Sequence, residues 1–404
     1  MSDPNVKTYP EDGVLQWRPA LQGYVAPGYE PVEDAFVANF AERGELGAAF
    51  SATVGGTTVV DLWGGVADPH AQRAWEPDTL QVIFSGTKGL VALCLLMLVD
   101  RGELDLNATV STYWPEFAAH GKQSITVLDL ASHRARLPGL QALVTEDELI
   151  DDTRMASLLA DQPLDNDPRA AHTYHALTYG WLCGEVIRRV DGRSVGRFFA
   201  DEVARPLALD VWIGLPAEHK PRVTAVVYAP SWIPPVWWDQ EKVAADDLLA
   251  RVWCNPSIFP NGYLPWNRTD WQCAEIPGAG GIATARSIAR LYGCLANGGE
   301  IDGVRLLSPE TLTLGRTVAH TAMEPLLAEP LAFGVGFQLQ TVRMVYGPPT
   351  DAFGHTGAGG SVHCAWPRLG VGVSYIMNSL RNDPERDPRA QALLSALHES
   401  VRAY

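Results

Sequence analysis

The stretch Val82-Ile83-Phe84-Ser85-Gly86-Thr87-Lys88-Gly89, with the apolar run from Leu90 to Val99 behind it, decides how the chain is read. Three apolar residues of strand character lead into Ser85. The ten that follow Gly89 are too few for a bilayer crossing, which needs about 20, and suit a buried helix running to about Asp100. Arg101-Gly102 supplies the stop, because glycine accepts the left-handed position after a last turn. Residues three apart on a helix share a face, so the Ser85 hydroxyl and the Lys88 amine come within reach of each other. A helix start also offers unpaired N–H groups and positive potential to a developing oxyanion. The apolar helix desolvates Lys88, which makes a neutral, proton-accepting amine accessible. The bland alternative makes Ser85 an N-cap and Lys88 a solvated first-turn residue; apolar neighbours on both sides are a poor setting for an idle lysine.

Outward from this centre, residues 48–64 (AAFSATVGGTTVVDLWG) alternate around Gly55-Gly56, a two-residue hairpin signal. From about 106 to 209 the periodicity is helical, broken at Pro115, Pro138-Gly139 and Pro163, with clear helices over 177–190 and 195 to about 204. Residues 212–271 hold seven of the thirteen tryptophans among many prolines. They predict long loops rich in exposed aromatic surface, and loops of that length are usually functional. A helix over 287–296, strand-like runs at 333–339, 360–365 and 370–377, and a last helix over about 389–401 complete the chain. The order predicts an α/β (α+β) architecture, with residues 1–105 and 282–404 forming one domain and residues 106–281 a mainly helical insertion.

Acidic residues outnumber basic ones 47 to 31, a formal charge of −16. That field repels nucleic acid and anionic membrane surfaces and points to small, neutral substrates. The opening MSDPNVKTYPEDG lacks a basic patch followed by an apolar stretch, so no secretory signal is expected. Six scattered cysteines without a CxxC pair predict free thiols in a reducing cytoplasm.

Taken together, SGTKG (85–89), Tyr174-His175-Ala176 and His355-Thr356-Gly357 resemble the serine β-lactamase and penicillin-recognising superfamily. More narrowly they resemble the β-lactamase-like carboxylesterases called family VIII. The supporting stretches are ITVLDLASHRARLPGL (125–140), YHALTYGWLCGEVIRRVDGRS (174–194), PGAGGIATARSIARL (277–291) and FGHTGAGGS (353–361), and the likeness spans about residues 45 to 380. The resemblance implies a β-lactamase-like fold, an antiparallel sheet flanked by helices. It implies Ser85 as acylated nucleophile, Lys88 as its partner and Tyr174 as a second base. It also implies an oxyanion hole from the backbone N–H groups of Ser85 and Ala358, with His355, Thr356 and Gly357 beside substrate. A phenol near an ammonium has its phenolate stabilised, so Tyr174 and Lys88 are expected to share a proton; which of them deprotonates Ser85 stays open. Glycine at 357 is expected to let the chain approach substrate closely.

Two departures carry information. His355 stands where β-lactamases and penicillin-binding proteins usually begin this motif with lysine, so a fixed cation for a β-lactam carboxylate is missing or pH-dependent. Ala176 stands where asparagine is usual, so a side-chain amide that would hold substrate and Lys88 is gone. Both point to carboxylic esters, whose alkoxide leaves more readily than an amide nitrogen.

Other patterns weigh less. Gly192-Arg193-Ser194-Val195-Gly196 spells G-x-S-x-G, but a helix rather than a strand precedes it, which makes Gly192 a helix stop and Ser194 an N-cap. His172 and His175 lack a third ligand at metal spacing. His133 is conceivable as a triad base for Ser85, but with Lys88 already adjacent to that serine a turn or packing role suits it better. The runs at 277–281 and 357–360 lack the context of a dinucleotide site. No cofactor or metal is therefore expected. The reading is a serine carboxylesterase for small, short-chain esters, with the Trp-rich loops lining the pocket or joining copies into a homo-oligomer. The alternatives are a β-lactamase, D-alanyl peptidase or acyltransferase on the same fold, and a non-catalytic binding or sensing protein.

Overall fold

The computed structural model describes residues 20–403; the opening segment read for a secretory signal lies outside them. The hairpin forms as Gly47–Val54 and Thr57–Asp68, turning through Gly55 and Gly56 at φ +56° and +84°, the left-handed pair that a tight hairpin demands. Among the described residues it belongs to a ten-stranded antiparallel sheet. Gln22–Val25 edges one side. On the other, Gly47–Val54 pairs with Val371–Met377, from Val54 against Val371 to Ala48 against Met377. The sheet continues through Val362–Trp366, Phe353–Thr356, Gln338–Leu339 and Glu329–Phe333 to His320–Glu324. Every residue of Val362–Trp366 and Val371–Met377 is buried, so the middle of the sheet is covered on both faces. The helix Ala285–Ala296 packs across it.

The helix Thr87–Asp100 is buried without interruption from Thr87 to Leu98. A helix apolar on every side belongs inside, and this one packs against the helices Thr178–Asp191, Val195–Phe199 and Pro309–Gly315 and the strand Phe353–Thr356. It ends before Gly102, at φ +72°. Ahead of it a small sheet joins Gln81–Val82, Gly281–Ala283 and Val211–Ile213, which lays the glycine-rich run 277–281 beside Ser85.

Three expectations change. The run 333–339 is two strands rather than one, because Gly336 at φ +77° turns the chain between Phe333 and Gln338. The helix begun at Val195 is α-helical to Phe199 and continues as a π-helix over Ala200–Ala204. The Trp-rich stretch is a series of short helices, among them Gln240–Ala245, Asp247–Trp253 and Thr269–Cys273. Its seven tryptophans are buried or half-buried. Trp237 stacks on Trp253 at 4.4 Å and Trp266 meets Trp271 edge-on at 5.1 Å. Aromatic area this large stabilises more by mutual burial than by facing water.

Among the described residues no helix is long and apolar enough to cross a membrane.

Candidate active site

Phe84, immediately before Ser85, has φ +47°, a left-handed conformation that bulky side chains rarely adopt and that costs about 1–3 kcal/mol. Its ring is held by Phe259 at 5.5 Å and Trp266 at 5.3 Å. The Trp-rich stretch thus secures the reversal that carries the chain from strand into helix and presents Ser85. The start of the helix is tied to the neighbouring strand through Thr87, whose hydroxyl donates to Phe84 O at 2.6 Å and accepts from Gly281 N–H at 2.7 Å.

Lys88 is wholly buried. Its Nζ lies 2.7 Å from Ala176 O, 2.7 Å from Gly278 O and 3.2 Å from Ser85 Oγ. The two carbonyls only accept, so they claim two N–H bonds. In the neutral amine the third direction is a lone pair, aimed at the Ser85 hydroxyl. Burial drives Lys88 well below the ordinary lysine range, with the Cys183 thiol pulling back; among the described residues no carboxylate bonds its Nζ. The loss of asparagine at 176 therefore does not release Lys88, because the backbone carbonyl of Ala176 holds it. The carbonyls are set by close packing: a Cβ on Gly180 would sit 2.0 Å from Gly278 N, so the helix Thr178–Asp191 meets the 277–278 segment backbone to backbone.

Tyr174 joins the pair. Its ring lies 4.8 Å from Lys88 Nζ, and its hydroxyl touches Ser85 and stands 3.5 Å from His355 Nε2. Burial pushes the phenol above its usual range, with the bond to Ser85 pulling the other way. Desolvation favours the neutral amine and neutral phenol, which hold the same number of protons as an ammonium–phenolate pair without separated charge.

His355 is buried, and desolvation, followed by Lys88, pushes it down to about 3. Its Nδ1–H donates to Thr356 O at 2.7 Å, which leaves Nε2 as an acceptor toward Tyr174. It is neutral across the physiological range and offers a carboxylate no charge. Thr356 donates its hydroxyl to Gln338 Oε1 at 3.1 Å. Gly357 packs closely against protein: a Cβ there would meet Ser361 Oγ at 2.2 Å and Ile83 O at 2.4 Å. That contact seats the third motif against the strand leading to Ser85.

Ser85, Tyr174, His355, Thr356, Gly357 and Ala358 line one cavity of about 270 Å³. Leu327, Leu331 and Val345 form an apolar wall, and charged residues of 381–387 rim it. No residue of 212–271 is in the lining; Trp237 and Trp253 pack instead behind Tyr174 and Phe333. Ser194 caps the helix Val195–Phe199 and donates to Glu275 at 2.6 Å, away from this cavity. His175 bonds Thr173 O and Leu137 N–H, while His172 stacks on His320 at 5.5 Å. His133 accepts from His175 N–H and stacks on Tyr179. Among the described residues no group of three or more His, Cys, Asp or Glu is placed to hold a metal. Sequence reasoning missed Gln338, which ties Thr356 to Tyr346, and Glu324, whose carboxylate accepts from the backbone N–H of Tyr174 at 3.2 Å. Neither lies in a motif.

Comparison with known proteins shows the family and the fold. The Beta-lactamase family model matches residues 32–398. The chain is 36% identical over 371 residues to the esterase/beta-lactamase LipL of Mycobacterium tuberculosis (strain ATCC 25618 / H37Rv), covering 89% of this chain and 83% of LipL. Among solved structures, a family VIII carboxylesterase superposes with a TM-score of 0.85 at 37% identity, over 94% of this chain and 100% of the other. A penicillin-binding protein homolog from Caulobacter crescentus gives 0.85 at 35% identity, with the same coverage.

Proposed function

With the chain a member of the beta-lactamase family, we propose that it is a serine carboxylesterase in which Ser85 is acylated with Lys88 as its base. The enzyme is a serine hydrolase like the carboxylesterases it resembles. The observation that carries the assignment of roles is the three-way contact of Lys88 Nζ, two carbonyls and one hydroxyl, in a setting that keeps the amine neutral.

Ser85 O–H gives its proton to Lys88 as Oγ bonds the ester carbonyl carbon. The N–H groups of Ser85 and Ala358 receive the negative oxygen. When the C–O bond to the alcohol breaks, Tyr174, a neutral phenol, donates to the departing alkoxide, and Lys88 returns its proton to Tyr174. Water then repeats the sequence on the acyl-enzyme. The cavity is smaller than the roughly 300–1,000 Å³ of drug-sized sites, and its apolar wall of Leu327, Leu331 and Val345 favours a short acyl group. A neutral His355 disfavours β-lactams, which need a cation for their carboxylate. We place the enzyme in the cytoplasm, where its six free thiols stay reduced, and assign residues 1–105 with 282–404 to one domain and 106–281 to the other.

The test is hydrolysis of p-nitrophenyl acetate by Ser85→Ala, beside nitrocefin for the parent. Loss of ester hydrolysis in the folded variant, with an acyl adduct on the parent by intact mass, is expected. Surviving hydrolysis in purified Ser85→Ala refutes the proposal.

A further inference from the structure

Arg389, near the start of the helix Pro388–Arg402, is among the largest fully buried side chains. Its Nη1 donates to Glu45 Oε1 at 2.9 Å, its Nε to Asp387 Oδ1 at 3.0 Å and its Nη2 to Asp387 Oδ2 at 2.7 Å. Glu45 is itself buried and accepts from Tyr375. A buried ion cluster is weak as a source of stability, since apolar residues of like volume often do as well. Its use lies in fixing geometry.

What it fixes is the turn carrying Ala358. Arg389 Nη2 also donates to Gly359 O at 3.2 Å, alongside Arg381 N–H at 3.0 Å. A trans peptide is planar, so holding Gly359 O sets the opposite direction of Gly360 N–H. That N–H donates to Gly357 O at 3.4 Å, and holding Gly357 O sets the direction of Ala358 N–H in turn. The turn has no slack on this side: a Cβ on Gly360 would sit 2.0 Å from Asp387 Oδ2.

We propose that Arg389, clamped by Asp387 and Glu45, is a positioning residue for the oxyanion hole, aiming the Ala358 N–H through two linked peptide planes. This rests on the reading of Ser85 as nucleophile and Ala358 as oxyanion donor. Removing one such donor outright costs about 10²–10³ in kcat, so a misaimed one costs less, about 10-fold to 100-fold.

The experiment uses Arg389→Lys, which keeps the charge but loses the fork, and Asp387→Asn, which keeps an acceptor for the helix cap on Arg389 N–H but loosens the guanidinium. For whichever variants show a parental circular dichroism spectrum, kcat and KM for p-nitrophenyl acetate and the inhibition constant of phenylboronic acid, a tetrahedral mimic, are measured. The expected result is a kcat lowered 10-fold to 100-fold in Arg389→Lys and about 10-fold in Asp387→Asn. KM stays within about twofold, and boronate inhibition weakens by the same factor as kcat. Parental kcat in either folded variant, or a loss confined to KM, overturns the inference. Ser85→Ala is run in parallel: if it stays active, the underlying reading fails instead.

Discussion

Acidification is the perturbation to which this fold should be most sensitive. His133, His175, His355 and His363 are all buried, and desolvation is the largest cause in lowering each. His175 falls to about 4 and His355 and His363 to about 3, while His133 lies well below 6.5. In the unfolded chain each titrates near about 6.5. Below that pH the unfolded state takes up protons that the folded state refuses. Stability is therefore complete above about 6.5 and is lost as pH falls toward the folded values. At pH 5 His175, His355 and His363 each contribute a loss of about 2 kcal/mol, about 6 kcal/mol together, and His133 adds to it in the same direction. That is comparable to the whole stability of a typical domain, about 5–15 kcal/mol. Glu45 and Glu324, whose carboxyls burial raises, work in the opposite sense and offset part of this as pH approaches their own range. Urea unfolding followed by tryptophan fluorescence at pH 7.5, 6 and 5 measures the effect. The midpoint should fall steeply, and His363→Gln should lose about 2 kcal/mol less than the parent between the two ends. An unchanged midpoint at pH 5, or a His363→Gln variant that loses as much as the parent, refutes the reasoning.

Two further outcomes are expected. Gly180→Ala places a methyl 2.0 Å from Gly278 N and 2.4 Å from Pro277 C, forcing the two segments apart by about 1 Å and drawing a carbonyl off Lys88. Thermal unfolding should show about 1–3 kcal/mol lost and kcat should fall about 100-fold; parental kcat would mean that Lys88 does not need both carbonyls. Ser194→Ala removes a helix cap and should cost about 1 kcal/mol while kcat for p-nitrophenyl acetate stays within about twofold; abolished turnover in a folded variant would move the nucleophile.

Much of this was legible in the chain because it is local. Ser85 and Lys88 are three residues apart, the helix behind them is apolar on every side, and Gly55-Gly56 names its own hairpin. Tyr174 and His355 came from resemblance, since nothing near them in sequence points at Ser85. What stayed hidden is what sequence does not encode by identity. The acceptors that hold Lys88 are main-chain oxygens of Ala176 and Gly278, which any residue would supply. The tryptophans read as exposed lining because their setting among prolines suggested loops, yet in the fold they bury one another and brace Phe84. The charge states of Lys88 and Tyr174 depended on how deeply both are enclosed, which only packing reveals.

The pairing of Gly47–Val54 with Val371–Met377 has a consequence for synthesis. A ribosome finishes the nucleophile helix long before it makes the strand that this hairpin needs as its neighbour. Until residue 377 clears the exit tunnel, an edge of apolar β-structure waits uncovered. Chaperones that shield such edges should therefore engage the nascent polypeptide throughout, and prematurely terminated products should be insoluble rather than partly active.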